Sequence, residues 1–271
     1  MALARLGGEI AVRRRGKGVR QLESNLRRVL GPQASEHELQ RTLHAAMQSY
    51  ARYWIEVFRL PVIPGQRIVD EMDAVDEHIL RDAVASGRGV VLALPHQGNY
   101  DVAGAWSAST GMPFTTVAER LKPERLYDRF TAFRESLGME VLALTGEAQT
   151  PLATMTERLR AGGSVFLVAD RDMGAGGIEV DFFGEPTTFP GGTAALALRT
   201  GAVCIAATLW FRPGGWGIKF HQITPPTVRP PGGPIKAMTQ DIARVFEEGI
   251  RAHPQDWHML QPLWLADRKR A

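Results

Sequence analysis

The chain has 271 residues, 44% hydrophobic and 23% charged, with 28 glycines, 17 prolines and one cysteine, a composition that supports a sizeable buried core and excludes a disordered or fibrous chain. It also excludes a disulfide framework, and with no apolar stretch near 18 residues and no signal-peptide core at its start, neither a membrane span nor that export route is expected. The formal charge of +3 is uneven: residues 1–30 hold eight basic side chains against Glu9 and Glu23, and the other 241 residues are net acidic.

The basic residues Arg5, Arg13, Arg14, Arg15, Lys17, Arg20, Arg27 and Arg28 make residues 1–30 a candidate membrane-proximal segment. At about 1 kcal/mol per basic group, such a patch is attracted to an anionic bilayer, and the attraction weakens with salt. A solvated helix face is the plain alternative. Nucleic acid is not expected, because the rest of the chain is acidic and carries no nucleic-acid motif. Next, Ser35-Glu36-His37-Glu38 has the form of a capping box, and apolar residues from Leu39 to Phe58 recur at helical spacing until Leu60-Pro61. This predicts an amphipathic helix of about 24 residues.

Beyond it, short apolar runs read as buried strands at 89–94, 114–118, 140–144, 164–168 and 203–207, alternating with helical patterns near 99–109, 123–137, 149–161 and 192–200. That alternation predicts an α/β fold with a central, mainly parallel or mixed sheet covered by helices. Cys204 lies in the last of these runs and is expected to be buried and inert. Residues 216–221 read as a later, antiparallel strand and 235–252 as a terminal amphipathic helix. No linker-like stretch divides the chain, so one domain over 1–271 is expected.

Ligands of open α/β sheets collect at the carboxyl ends of the strands. There the sequence offers His96 after 89–94, Glu119 after 114–118, and Asp170-Arg171-Asp172 after 164–168. Asp101 follows His96 by five residues, which on one continuous helix would turn the two about 140° apart. With His96 in the turn and Asp101 in the first helical turn, Gly98 allows a tight path and the carboxylate can fold back onto one imidazole nitrogen, the choice between Asp101 and Asp170 as main partner staying open. The other nitrogen would then serve as a general base toward a hydroxyl attacking an activated acyl carbon.

His96-x4-Asp101 resembles the HX4D motif of glycerolipid and lipid A-type acyltransferases. Leu94–Asp101, Val168–Met173, Phe182–Pro186, Phe189–Ala197 and His253–Trp257 follow in the order seen in the lipid A biosynthesis acyltransferase family. Phe114–Leu121 and Phe133–Glu140 are most similar to the branch that acylates phosphatidylinositol mannosides in actinobacteria. The resemblance implies a layered acyltransferase fold and transfer of a long, palmitoyl-like acyl chain from acyl-CoA to a mannose hydroxyl of a phosphatidylinositol mannoside. It places that reaction at the cytoplasmic face of the plasma membrane, with the protein bound peripherally. Catalytic roles are implied for His96, Asp101 and Asp170, the last engaging the histidine and the sugar. Glu119 and Arg134 are implied around the acceptor head group, and Asn99 and Arg171 are expected to line the substrate site. No metal or resident cofactor is implied; acyl-CoA is a co-substrate. Relatives open with a further apolar-basic segment, so a chain starting here is expected to keep its site and bind bilayers less tightly.

A sixteen-carbon tail left in water would cost on the order of 10 kcal/mol at about 0.8 kcal/mol per CH2, so a groove is needed. Trp54, Phe58, Tyr100 and Trp106 are candidates for its lining. The sequence has no G-x-S-x-G elbow, zinc-ligand spacing or Walker motif. The alternatives are a lysophospholipid or another glycolipid as acceptor and, from another class, a non-catalytic lipid-binding protein.

Overall fold

A computed structural model describes residues 2–118, 124–143, 150–172, 174 and 176–268. The chain opens with three helices, α1 (Ala2–Arg14), α2 (Lys17–Leu30) and α3 (Glu36–Arg59). The basic segment is therefore largely helical. α2 buries Val19, Leu22 and Leu26 against α3, which contributes Leu39, Leu43 and Ala46. Part of the basic charge is used internally: Arg15 pairs with Glu23, Arg27 with Glu36, and Arg28 with both Asp267 and Glu185 while lying over the Trp264 ring. Arg13, Arg14, Lys17 and Arg20 face solvent. α3 has its predicted length, and its first turn is capped by the Ser35 hydroxyl, which accepts from the Glu38 N–H at 3.1 Å.

A short segment without a clear sequence signature follows: α4 (Gly65–Glu71), β1 (Met72–Val75) and α5 (Glu77–Ala85). Then come β2 (Val90–Leu94), α6 (Tyr100–Ser109), β3 (Phe114–Ala118), α7 (Glu124–Ser136), β4 (Met139–Ala143), α8 (Pro151–Arg160) and β5 (Ser164–Val168), all close to the predicted runs. A hairpin of β6 (Ile178–Phe182) and β7 (Glu185–Phe189) precedes α9 (Gly192–Thr200), β8 (Val203–Arg212), β9 (Gly215–Ile223), α10 (Gly233–Ala252) and the short α11 (Leu265–Arg268). β8 runs past Ala207 because β9 pairs with it antiparallel from Cys204 to Arg212.

Seven strands form one sheet in the order β1-β9-β8-β2-β5-β3-β4, parallel at every pairing except β8–β9. Alternate residues of the central strands enter two cores. Val91, Ala93, Val165 and Cys204 pack with α8, α9, α10, Trp257 and Trp264, whereas Leu92, Leu94, Phe166 and Ile205 pack with α6, Phe114 and Phe220. A sheet buried on both faces explains why these strands read as continuous apolar runs. Cys204 is 2% exposed, and burial raises its thiol pKa to about 12. No described helix is long and apolar enough to cross a membrane.

Candidate functional site

β2 and β5 are adjacent and parallel, with Leu94 opposite Val168, and the Ala169 N–H donates to the Leu94 carbonyl at 2.8 Å. His96 and Asp170, each two residues past those partners, therefore leave the same sheet edge side by side. Asp170 Oδ1 lies 2.5 Å from His96 Nδ1, and Asp170 Oδ2 accepts from the His96 backbone N–H and from Trp257 Nε1, both at 3.0 Å. Asp170 is fully buried. Burial alone would raise its pKa, but the imidazole charge and these donors outweigh that and hold it below its ordinary value. A carboxylate at Nδ1 fixes that nitrogen as the protonated one and leaves the Nε2 lone pair available. Among the described residues Nε2 has no hydrogen-bond partner, and the His96 side chain is 33% exposed.

Of the two carboxylates open as partners of His96, Asp101 does not fold back onto the imidazole. Asp101 Oδ1 accepts from Arg134 Nε at 2.8 Å and Oδ2 accepts from the Tyr53 hydroxyl at 2.9 Å. The Tyr100 hydroxyl lies 2.6 Å from that of Tyr53. With the Tyr53 proton given to the carboxylate, Tyr100 donates to Tyr53. α6 directs Asp101 toward α3 and α7, while the neighbouring strand supplies the carboxylate that meets the imidazole. Burial disfavours the Arg134 charge, but Asp101 more than offsets this and holds the guanidinium above its ordinary pKa. Burial beside Asp101 likewise raises both tyrosines. Gly98 has φ +58°, and a Cβ there would lie 2.9 Å from Leu209 Cβ; the turn from β2 into α6 thus needs glycine for both conformation and space.

Asn99 is 2% exposed; its carbonyl caps α6 at Val102 N and its amide donates to Glu56 Oε2 at 3.0 Å. It holds the turn in place instead of lining the pocket as expected. Arg171 lines a pocket of about 110 Å3 with His96, Tyr50, Tyr53, Tyr100 and His258. Glu119 lies outside the described residues.

Beneath Tyr100 an apolar cavity of about 60 Å3 extends along α6, lined among others by Asp101, Ala103, Trp106, Phe114, Arg134 and Met139. Tyr100 borders both spaces. Of the four aromatic candidates, Tyr100 and Trp106 line the apolar cavity, Trp54 lines the polar pocket, and Phe58 is 72% exposed and stacks on Trp54. On the opposite side of α3 a wider cavity of about 640 Å3 is bordered by Arg52, Glu56, Arg67, Glu71, Ser49 and Asp256. Two of its arginines are already paired, Arg52 with Glu56 and Arg67 with Glu71. No cluster of three metal-ligating side chains occurs among the described residues.

Tyr53, Trp257 and His258 are site residues that sequence reasoning did not single out. Trp257 closes a quoted motif, but its contact with Asp170 spans 87 positions. His258 is placed by a backbone hydrogen bond from its N–H to the His96 carbonyl at 2.8 Å.

Comparison with known proteins adds a family. Residues 2–266 match the model described as bacterial lipid A biosynthesis acyltransferase. Over 255 residues the chain is 46% identical to the phosphatidylinositol mannoside acyltransferase of Mycolicibacterium smegmatis, covering 93% of this chain and 82% of that protein. Over 254 residues it is 49% identical to the protein of the same name from Mycobacterium tuberculosis, covering 92% and 78%.

Proposed function

The chain belongs to the bacterial lipid A biosynthesis acyltransferase family, and we propose that it transfers a long, palmitoyl-like acyl group from acyl-CoA to a mannose hydroxyl of a phosphatidylinositol mannoside. The observation that carries this reading is the His96–Asp170 pair at 2.5 Å beside the junction of a polar pocket and an apolar cavity. The acceptor hydroxyl gives its proton to His96 Nε2 as its oxygen attacks the thioester carbonyl. Asp170, negative and wholly buried, stabilises the imidazolium that forms. Collapse of the tetrahedral intermediate breaks the carbon–sulfur bond, and the proton on Nε2 passes to the departing thiolate, so ester and free thiol are the products. No protein nucleophile is required.

The polar pocket, with Arg171 and Gln261 on its wall, suits a polyol head group. The apolar cavity suits the acyl tail, with Asp101–Arg134 at its rim as a buried framework. Its volume is about 60 Å3, and a long chain would be accommodated there by movement of side chains such as Met139. Glu119 is assigned to the acceptor by family resemblance alone. Attraction of Arg13, Arg14, Lys17 and Arg20 to anionic lipid supports peripheral binding at the cytoplasmic face of the plasma membrane.

Mass-spectrometric product analysis tests the reading: palmitoyl-CoA with and without purified phosphatidylinositol mannoside, using wild type and His96→Ala. An acylated glycolipid formed by wild type, and reduced at least about 10²-fold in the folded variant, is expected. Donor left intact, or hydrolysed equally without acceptor, overturns the transferase reading. Product formed only from a palmitoyl carrier protein overturns the choice of donor.

A further inference from the structure

The His258 ring lines the same pocket as His96, packed between Tyr50 at 5.4 Å and Tyr53 at 5.8 Å. Its Nε2 lies 3.0 Å from Ser49 Oγ, and Ser49 Oγ is 2.7 Å from Asp256 Oδ1. Asp256 is itself 2% exposed, and its Oδ2 accepts from the Phe211 N–H at 2.9 Å. Nδ1 of His258 is buried and has no hydrogen-bond partner.

The direction of this chain follows from counting protons. Burial raises the Asp256 pKa while the Phe211 N–H and the Ser49 hydroxyl act against that rise; the Ser49 hydroxyl donates to Oδ1 at 2.7 Å, so with its single proton placed there the serine oxygen accepts from His258 Nε2–H. The remaining nitrogen, Nδ1, then carries a bare lone pair. An unmet buried acceptor is unfavourable, and here it belongs to a ring on the wall of the pocket assigned to the head group.

We propose that Asp256 and Ser49 are positioning residues that hold His258 as its Nε2–H tautomer, so that Nδ1 accepts a hydrogen bond from a hydroxyl of the polyol acceptor next to the one acylated. The acceptor half of this inference rests on the function proposed above; the tautomer half does not. Two imidazoles then divide the pocket: His96, with a carboxylate at Nδ1, offers Nε2 as the base, whereas His258, with a serine at Nε2, offers Nδ1 as a fixed acceptor. Ser49 and Asp256 also border the wide cavity behind α3, so the chain Asp256–Ser49–His258 runs through the wall between the two spaces.

The tautomer is read from the side-chain 15N shifts and couplings of His258 in the whole protein, assigned by comparison with His258→Gln, without any substrate. Wild type is expected to be neutral and protonated at Nε2, Ser49→Ala to become a mixture of tautomers, and Ser49→Thr to restore the wild-type pattern. In transfer assays Ser49→Ala is expected to raise the acceptor KM about tenfold, the equivalent of one neutral hydrogen bond. The donor KM should stay in place, and Ser49→Thr should recover the acceptor KM. Protonation at Nδ1 in wild type, or a Ser49→Ala variant with unchanged tautomer and unchanged acceptor KM, overturns the proposal. If wild type transfers to no polyol lipid while the tautomer still depends on Ser49, the function proposed above fails and the positioning role stands.

Discussion

Two spaces meet at Tyr100, and their walls divide the work. The pocket on one side carries His96, Arg171, His258 and Gln261, all groups that hydrogen-bond. The cavity on the other side is walled mainly by side chains such as Ala103, Trp106, Phe114 and Met139. Each space also has its own buried carboxylate. Asp170 joins the imidazole to the sheet, while Asp101 is bound to Arg134 and Tyr53 and joins α6 to α7 and α3. Similar burial thus serves different ends: the first carboxylate is coupled to a group that changes charge during reaction, and the second is neutralised by a permanent cation.

The sharpest way to break this division is Asp170→Asn. The amide would donate to His96 Nδ1, moving the imidazole proton to Nε2 and removing the base; transfer is expected to fall by about 10² to 10⁴ in a protein of near-native melting temperature. Arg134→Leu should act differently, leaving Asp101 buried without its cation. A loss of about 3 kcal/mol in urea unfolding is expected, largely recovered in the double variant Asp101→Leu/Arg134→Leu. If Arg134→Leu instead lowers activity with no loss of stability, the framework role assigned to this pair is wrong.

Acid should separate the two sides further. Burial, aided by the nearby charge of His96, pushes the His258 pKa down to about 3, against about 6.5 in an unfolded chain. Between those values the unfolded state binds one proton more, so stability falls as pH drops, by about 1.4 kcal/mol per pH unit from this group. Asp170, also held low, adds loss in the same direction at more acidic pH. Urea unfolding between pH 5 and 7 should therefore show a shallower slope for His258→Phe than for wild type, and equal slopes would reject the buried neutral imidazole. The smallest effect is expected in the apolar cavity. Ala103→Leu fills part of it and should shift the preferred acyl donor toward shorter chains, at about 0.8 kcal/mol per excluded CH2; an unchanged chain-length profile would move the tail elsewhere.

Much of this framework was legible along the chain. The Ser35 cap and the apolar spacing gave α3 its limits, and the central strands showed as apolar runs because both faces of the sheet are covered. The hairpin of β6 and β7 was missed. Its turn places Phe183 and Gly184 at φ +53° and +77°, and left-handed phenylalanine is not a turn signal that sequence patterns favour. α4, β1 and α5 were missed because β1 is only four residues long and all of its residues are half-buried.

At the site, the sequence by itself placed a histidine and several carboxylates at strand ends, since that depends on where apolar runs stop. It left both Asp101, near His96 in the chain, and Asp170 as partners of the imidazole. Only the tertiary structure decided for Asp170, 74 positions away, by setting β2 beside β5 in parallel register, and only it brought Trp257 and His258 from the far end of the chain against that edge. The physical reason is that local pattern determines which residues reach the rim of a sheet, whereas strand order and long-range packing determine which of them touch.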